Sequence, residues 1–143
     1  MYHRSILFMV TAMSHLASIA QETPLWMRQP AISPDGSTIV FCYKGDLWRV
    51  PSAGGEAVLL TSHDAYDSSP VWSRDGTSIA FASDRAGNND VYVMPSAGGQ
   101  AVRLTYHSAG DIPSDFTADN SAVLFSSSRI AASSNQQFPS GGL

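Results

Sequence analysis

Apolar residues in this chain fall in short runs separated by turn-forming residues. Ile39-Val40-Phe41-Cys42-Tyr43 is followed by Lys44-Gly45-Asp46, and Ile79-Ala80-Phe81-Ala82 is preceded by Asp75-Gly76. Runs of four to six residues bounded by Gly, Pro, Asp and Ser have the length and punctuation of β-strands. The run at Ile39 to Tyr43 is continuous rather than alternating, which predicts a strand covered on both faces instead of one with a wet side. The predicted class is therefore all-β.

The pattern also repeats. Pro30, Ile32, Ser33, Asp35, Gly36, Ile39 and Phe41 recur 40 residues later as Pro70, Trp72, Ser73, Asp75, Gly76, Ile79 and Phe81. A weaker third copy runs through Asp115, Phe116, Thr117, Asp119, Asn120, Val123 and Phe125, with Asn120 in place of glycine. Pro51-Ser52-Ala53-Gly54-Gly55 is identical to Pro95-Ser96-Ala97-Gly98-Gly99, 44 residues on. The change from 40 to 44 places a four-residue insertion between Phe81 and Asp90. In the second unit the pattern predicts strands near Pro70–Ser73, Ser78–Ser83, Val91–Met94 and Ala101–Thr105. Asp75-Gly76 and Gly98-Gly99 supply the turns, because they accept positive φ at little cost. Units of about 40 to 45 residues with four short strands are the pattern of propeller blades. The expected organisation is a partial β-propeller of about two and a half antiparallel blades: blade one about 28–61, blade two about 68–105, and an incomplete blade three about 112–143. The connection Ser62 to Ser69 must cross three strand spacings, about 14 Å, and eight extended residues reach roughly 27 Å.

Composition refines this picture in two places. The net charge is −4 and only 14% of residues are charged, so there is no basic footprint for nucleic acid. The first 20 residues resemble a secretory signal helix: His3 and Arg4, an apolar stretch from Ile6 to Met13, and small residues up to Ala20. Cleavage after Ala20 is expected, leaving residues 21–143 as an incomplete propeller with no membrane anchor, periplasmic or secreted. The single cysteine, Cys42, is expected to be a buried small hydrophobe.

The stretch Pro70-Val71-Trp72-Ser73-Arg74-Asp75-Gly76, then Ile79-Ala80-Phe81 and Val91-Tyr92-Val93-Met94, resembles the WD40-like repeat of TolB-type propellers. The opening Thr23-Pro24-Leu25-Trp26-Met27-Arg28 leading into Pro30 to Gly36, with Tyr43-Lys44-Gly45-Asp46, resembles the start of secreted tricorn-type serine proteases of the S41 class. That resemblance implies a propeller segment placed before downstream peptidase domains, where it would guide or gate peptide substrates. It also implies that the partners are peptide or protein substrate and the remaining blades of the parent protein. The alternative is a TolB-like periplasmic scaffold that binds a protein partner and carries no enzyme.

No catalytic residue, cofactor or metal site is expected in the chain itself. Ser52 and Ser96 sit beside glycines in equivalent turns, and no Gly-x-Ser-x-Gly nucleophile elbow is present. A sialidase-type propeller is disfavoured, because its turn box separates aspartate from glycine by one residue whereas Asp75 and Gly76 are adjacent. Asp35, Asp75 and Asp119 are expected to stabilise their turns together with Gly36, Gly76 and Asn120. Gly54, Gly55, Gly98 and Gly99 are expected to form the other set of repeat turns. His63 and His107 share a repeat position and are expected in loops. Arg85 and Arg129 also share one, 44 residues apart. They are the candidates for a peptide-binding rim, set against the plainer expectation of a solvated loop charge or a salt bridge to Asp84 or Asp90.

Overall fold

The computed structural model describes residues 26–129. The signal-peptide expectation for residues 1–20, and the end of the third unit from residue 130 onward, lie outside the described residues. Ten strands follow in order: β1 Arg28–Ile32, β2 Thr38–Tyr43, β3 Asp46–Pro51, β4 Val58–Leu59, β5 Asp67–Trp72, β6 Ser78–Ser83, β7 Asp90–Pro95, β8 Val102–Arg103, β9 Asp111–Phe116 and β10 Val123–Ser127. They form two four-stranded antiparallel meanders, β1-β2-β3-β4 and β5-β6-β7-β8, and a two-stranded β9-β10 sheet. These are two propeller blades and the first half of a third. Strand β5 packs between β1 and β9, so the first strand of each unit lies toward the hub.

Repeat register explains the packing. Val40, Cys42 and Leu47 of blade one meet Ile79, Phe81, Tyr92 and Met94 of blade two in a single buried cluster. Ile79, Ala80, Phe81 and Ala82 are all fully enclosed, as expected of a central strand with a blade on either side. In β2 the three middle residues Val40, Phe41 and Cys42 are buried while Ile39 and Tyr43 are half-buried, so enclosure fades at the strand ends.

Two boundaries differ from the sequence expectation. The first strand of blade two begins at Asp67 rather than Pro70, because the Asp67 N–H donates to the Gly45 carbonyl of blade one at 2.7 Å. Asp111 makes the same bond to the Asn89 carbonyl at 2.7 Å. The seven residues left between β4 and β5 still reach roughly 23 Å when extended. The outer strands are only two residues long. Their ladders stop where threonine hydroxyls take over: Leu47 N–H donates to Thr61 Oγ1 at 2.9 Å and Val91 N–H to Thr105 Oγ1 at 3.0 Å.

All three hub strands carry an irregularity, between Arg28 and Ala31, between Ser68 and Val71, and opposite Leu124 and Phe125. Bulges bend a strand and re-aim its side chains. At the first two, Gln29 and Ser69 occupy equivalent positions with φ of 50° and 52°. The Gln29 amide joins them across the blade boundary, accepting from Ser69 N at 2.9 Å and donating to Ser69 Oγ at 3.1 Å.

Candidate functional site

The turn that ends each hub strand is built the same way three times. Gly36 N–H donates to the Ser33 carbonyl at 2.8 Å and the loop closes with Ser33 N–H to the Thr38 carbonyl at 2.8 Å. Ser, Pro, Asp and Gly at successive positions is the preference order of a tight turn. The Asp35 carboxylate then accepts from Ser33 Oγ at 2.5 Å, Ser37 N at 3.0 Å and Ser37 Oγ at 2.8 Å. Asp75 accepts from Ser73 Oγ, Thr77 N and Thr77 Oγ1, and Asp119 from Thr117 Oγ, Ser121 N and Ser121 Oγ. These bonds favour the charged form, led in each case by the Ser or Thr hydroxyl two residues earlier. They hold Asp35 and Asp119 at about 2 and Asp75 below the usual carboxylate range. Gly36 and Gly76 have φ of 74° and 71°, and Asn120 takes the same left-handed geometry at 59°. Asparagine is among the few other residues that tolerate it. Gly54, Gly55, Gly98 and Gly99 all have positive φ in the turns before β4 and β8.

At the opposite end of the hub strands the two candidate rim arginines are engaged by aspartates. Arg85 Nη2 lies 3.0 Å from both carboxylate oxygens of Asp67, which is fully buried. Its Nε donates to Ser83 Oγ at 2.8 Å, and its guanidinium lies over the rings of Tyr92 and Phe81. Arg129 Nη2 reaches fully buried Asp111 at 2.7 Å and lies over Phe125. The partner of Arg85 is thus Asp67, which opens the same blade's hub strand, and not Asp84 or Asp90. Asp90 pairs instead with Arg103 at 2.6 Å. His63 and His107 lie exposed in the connecting loops, each accepting the N–H two residues on at Nδ1, at 3.0 Å. Cys42 is buried, and desolvation raises its thiol to about 11. Among the described residues no three His, Cys, Asp or Glu side chains cluster closely enough to hold a metal ion.

Concave surface lies between blades one and two at the Asp-Gly turns. One groove of about 360 Å³ runs along the hub strands, lined by Ile32, Pro34, Pro70, Val71 and Trp72 with Ser114 across from them. A second, about 500 Å³, opens between the blades and is lined by Thr38, Arg49, Ser96 and the Asp35 and Asp75 turns. Pro34, Trp72 and Arg74 border both. The Trp72 indole is fixed by its Nε1–H to the Ala31 carbonyl at 3.0 Å, and Arg74 is tied to blade three by its ion pair with Asp115 and its N–H to Asn120 Oδ1. The result is a trough of mixed lining, with Pro34 and Trp72 on its apolar side and Arg49, Arg74 and the Asp turns on its polar side. Sequence reasoning missed Arg49 in this setting. The available signal was a break in the repeat, since the residue 44 positions on is Val93.

Such a repeat of four-stranded meanders sharing buried faces, with hub strands beside a groove, defines a β-propeller segment. The chain belongs to the family of tricorn protease N-terminal β-propeller domains, whose pattern matches residues 24–140. No curated protein matches it. The solved structure of a putative TolB from Agrobacterium tumefaciens is 30% identical, with a TM-score of 0.63, covering 72% of this chain and 39% of that one. TolB from Acinetobacter baumannii is 22% identical with a TM-score of 0.59, over 75% of this chain and 27% of that one. The tricorn protease is 15% identical with a TM-score of 0.57, over 71% of this chain and 11% of that one. The last two likenesses concern the fold alone. The chain spans about two fifths or less of each of these proteins.

Proposed function

We propose that this chain is the non-catalytic propeller segment of a tricorn-like serine peptidase of the S41 class, periplasmic or secreted, that guides extended peptides toward the peptidase. The family match over residues 24–140 carries this reading. The trough bordered by Pro34, Pro70 and Trp72 supports it, because fixed prolines and an indole offer apolar contact to a passing chain at low entropic cost. The location rests on the signal-like first 20 residues.

A second reading, a TolB-like scaffold that binds a folded partner, is favoured by the 30% identity to the Agrobacterium protein. Two measurements separate them. The reading frame beyond the codon for Leu143 encodes a PDZ-like segment and a peptidase domain under the first reading, and a stop after about six blades under the second. In fluorescence anisotropy the chain binds labelled unstructured peptides under the first reading. Failure to bind any, with capture of a folded partner, removes it.

A further inference from the structure

Five of the six arginines among the described residues are already occupied. Arg74, Arg85, Arg103 and Arg129 each pair with an aspartate, and Arg28 lies exposed over the ring of Trp26. Arg49 is the exception. It is half-buried in β3, opposite Val40 of the inter-blade core, and has no carboxylate partner among the described residues. Among the described residues its hydrogen bond is a long one, from Nη1 to the Ser96 carbonyl at 3.5 Å. A half-buried guanidinium without an acceptor of opposite charge is less well compensated than a paired one. Repeat logic sharpens the point: blade two places Val93 at the equivalent position, so the fold does not require a cation there.

The nearby carboxylates do not fill that role. Asp35 and Asp75 line the same groove, but each is held by three hydrogen bonds inside its own turn. Arg49 therefore presents a cation without a carboxylate partner among the described residues, in the groove lined also by Ser37, Thr38, Pro34 and Trp72. A carboxylate matches a guanidinium in charge and in planar donor geometry.

We infer that Arg49 is a specificity residue, and that the groove between blades one and two takes an extended peptide bearing an acidic side chain next to an apolar one. The acidic group meets Arg49, and the apolar neighbour packs on Trp72 and Pro34. This rests on the peptide-guiding reading above and adds the class of peptide. Attraction at Arg49 competes with the fields of Asp35 and Asp75, so binding is expected to be selective for where the acid sits along the peptide rather than for net negative charge.

The test uses the full chain and labelled peptides blocked at both ends, so that only side chains carry charge: a Leu-Glu-Leu core and its Leu-Gln-Leu counterpart, read by fluorescence anisotropy. The Glu peptide is expected to bind about tenfold tighter than the Gln peptide, the worth of one charge-assisted hydrogen bond. Arg49→Val, which installs the residue blade two already carries, is expected to erase that difference, chiefly by weakening the Glu peptide. Arg49→Lys is expected to retain part of it. Equal binding of the two peptides by the unsubstituted chain overturns the inference but leaves the peptide-guiding reading standing, and this comparison holds even if a variant fails to fold. Binding of neither peptide, nor of any other unstructured peptide, overturns both.

Discussion

Arg85→Met tests whether the blades are held at the hub by buried charge. The Asp67 carboxylate is fully buried and the Arg85 side chain only 20% exposed, so water contributes little screening. Methionine keeps an apolar stem against Phe81 and Tyr92 but leaves the carboxylate without its cation. Breaking such a pair from one side costs about 3–5 kcal/mol, most of it the stranded charge. For a unit of this size each kcal/mol moves the midpoint by about 4–8 °C, which makes the expected fall about 12–40 °C. The informative measurement is a cycle with Asp67→Asn, read by urea and thermal unfolding. The double variant is expected to recover at least half of the loss, because the substituted carboxamide carries no charge to strand. The matching cut at Arg129, whose side chain is 41% exposed against an equally buried Asp111, is expected to cost less, since solvent screens that pair. A loss below about 1 kcal/mol for Arg85→Met, or a double variant no more stable than the single, refutes the reasoning.

Gly76→Ala is expected to destabilise by about 1 kcal/mol. The added methyl meets only Pro34 Cδ at 3.6 Å, so the penalty comes from φ of 71° and not from space. Asn120→Gly at the equivalent turn keeps the left-handed geometry but removes the bond from Arg74 N–H to Asn120 Oδ1, so it is expected to cost about 0.5–1.5 kcal/mol, and urea midpoints check both. The carboxyls of Asp35, Asp75 and Asp119 are depressed in the folded protein, so their contribution is fully present above about pH 4 and is lost as pH falls toward about 2. Midpoints measured from pH 5 to 2 should drop across that window, with a shallower drop in a Ser33→Ala, Ser73→Ala, Thr117→Ala triple variant. The Cys42 thiol, raised to about 11 by desolvation, is expected to react with a thiol reagent only after denaturant is added. Prompt labelling of the native protein refutes its burial.

Much of the fold was legible because the same local solution is written more than once. The Asp-Gly turns, the Gly-Gly turns and the apolar second strand recur at fixed spacing, and each copy corroborates the others. Asn120 illustrates the strength of this: a substitution that reads as decay of the repeat is the next-best residue for a left-handed φ of 59°. Strand edges were less legible. Periodicity marks apolar positions, whereas Asp67 and Asp111 enter their strands through backbone bonds to the previous blade, and nothing in a polar Asp-Ser-Ser or an Asp-Ile-Pro stretch announces that partner. The same blindness affected the rim arginines. Their common position was visible, but the aspartates that bind them lie 18 residues earlier in each unit, a separation that only the meander brings together.

Where function is concerned, the informative signal is the opposite of the one that reveals the fold. A position that obeys the repeat, such as Asp35 with Asp75 or Arg85 with Arg129, is explained by what every blade needs, and in the structure each of these side chains is spent on its own turn or hub strand. A position that breaks the repeat is not explained in that way. Arg49 stands where blade two has Val93, whereas Trp72, matched by Ile32 in blade one and Phe116 in blade three, keeps a large apolar position of the repeat. Both residues border the same groove. One supplies a fixed aromatic face and the other a cation without a carboxylate partner among the described residues. Folding accounts for the indole, which packs against the inter-blade core and bonds the Ala31 carbonyl; Arg49, where blade two folds with valine, is the position that the proposed recognition of an acidic peptide would explain.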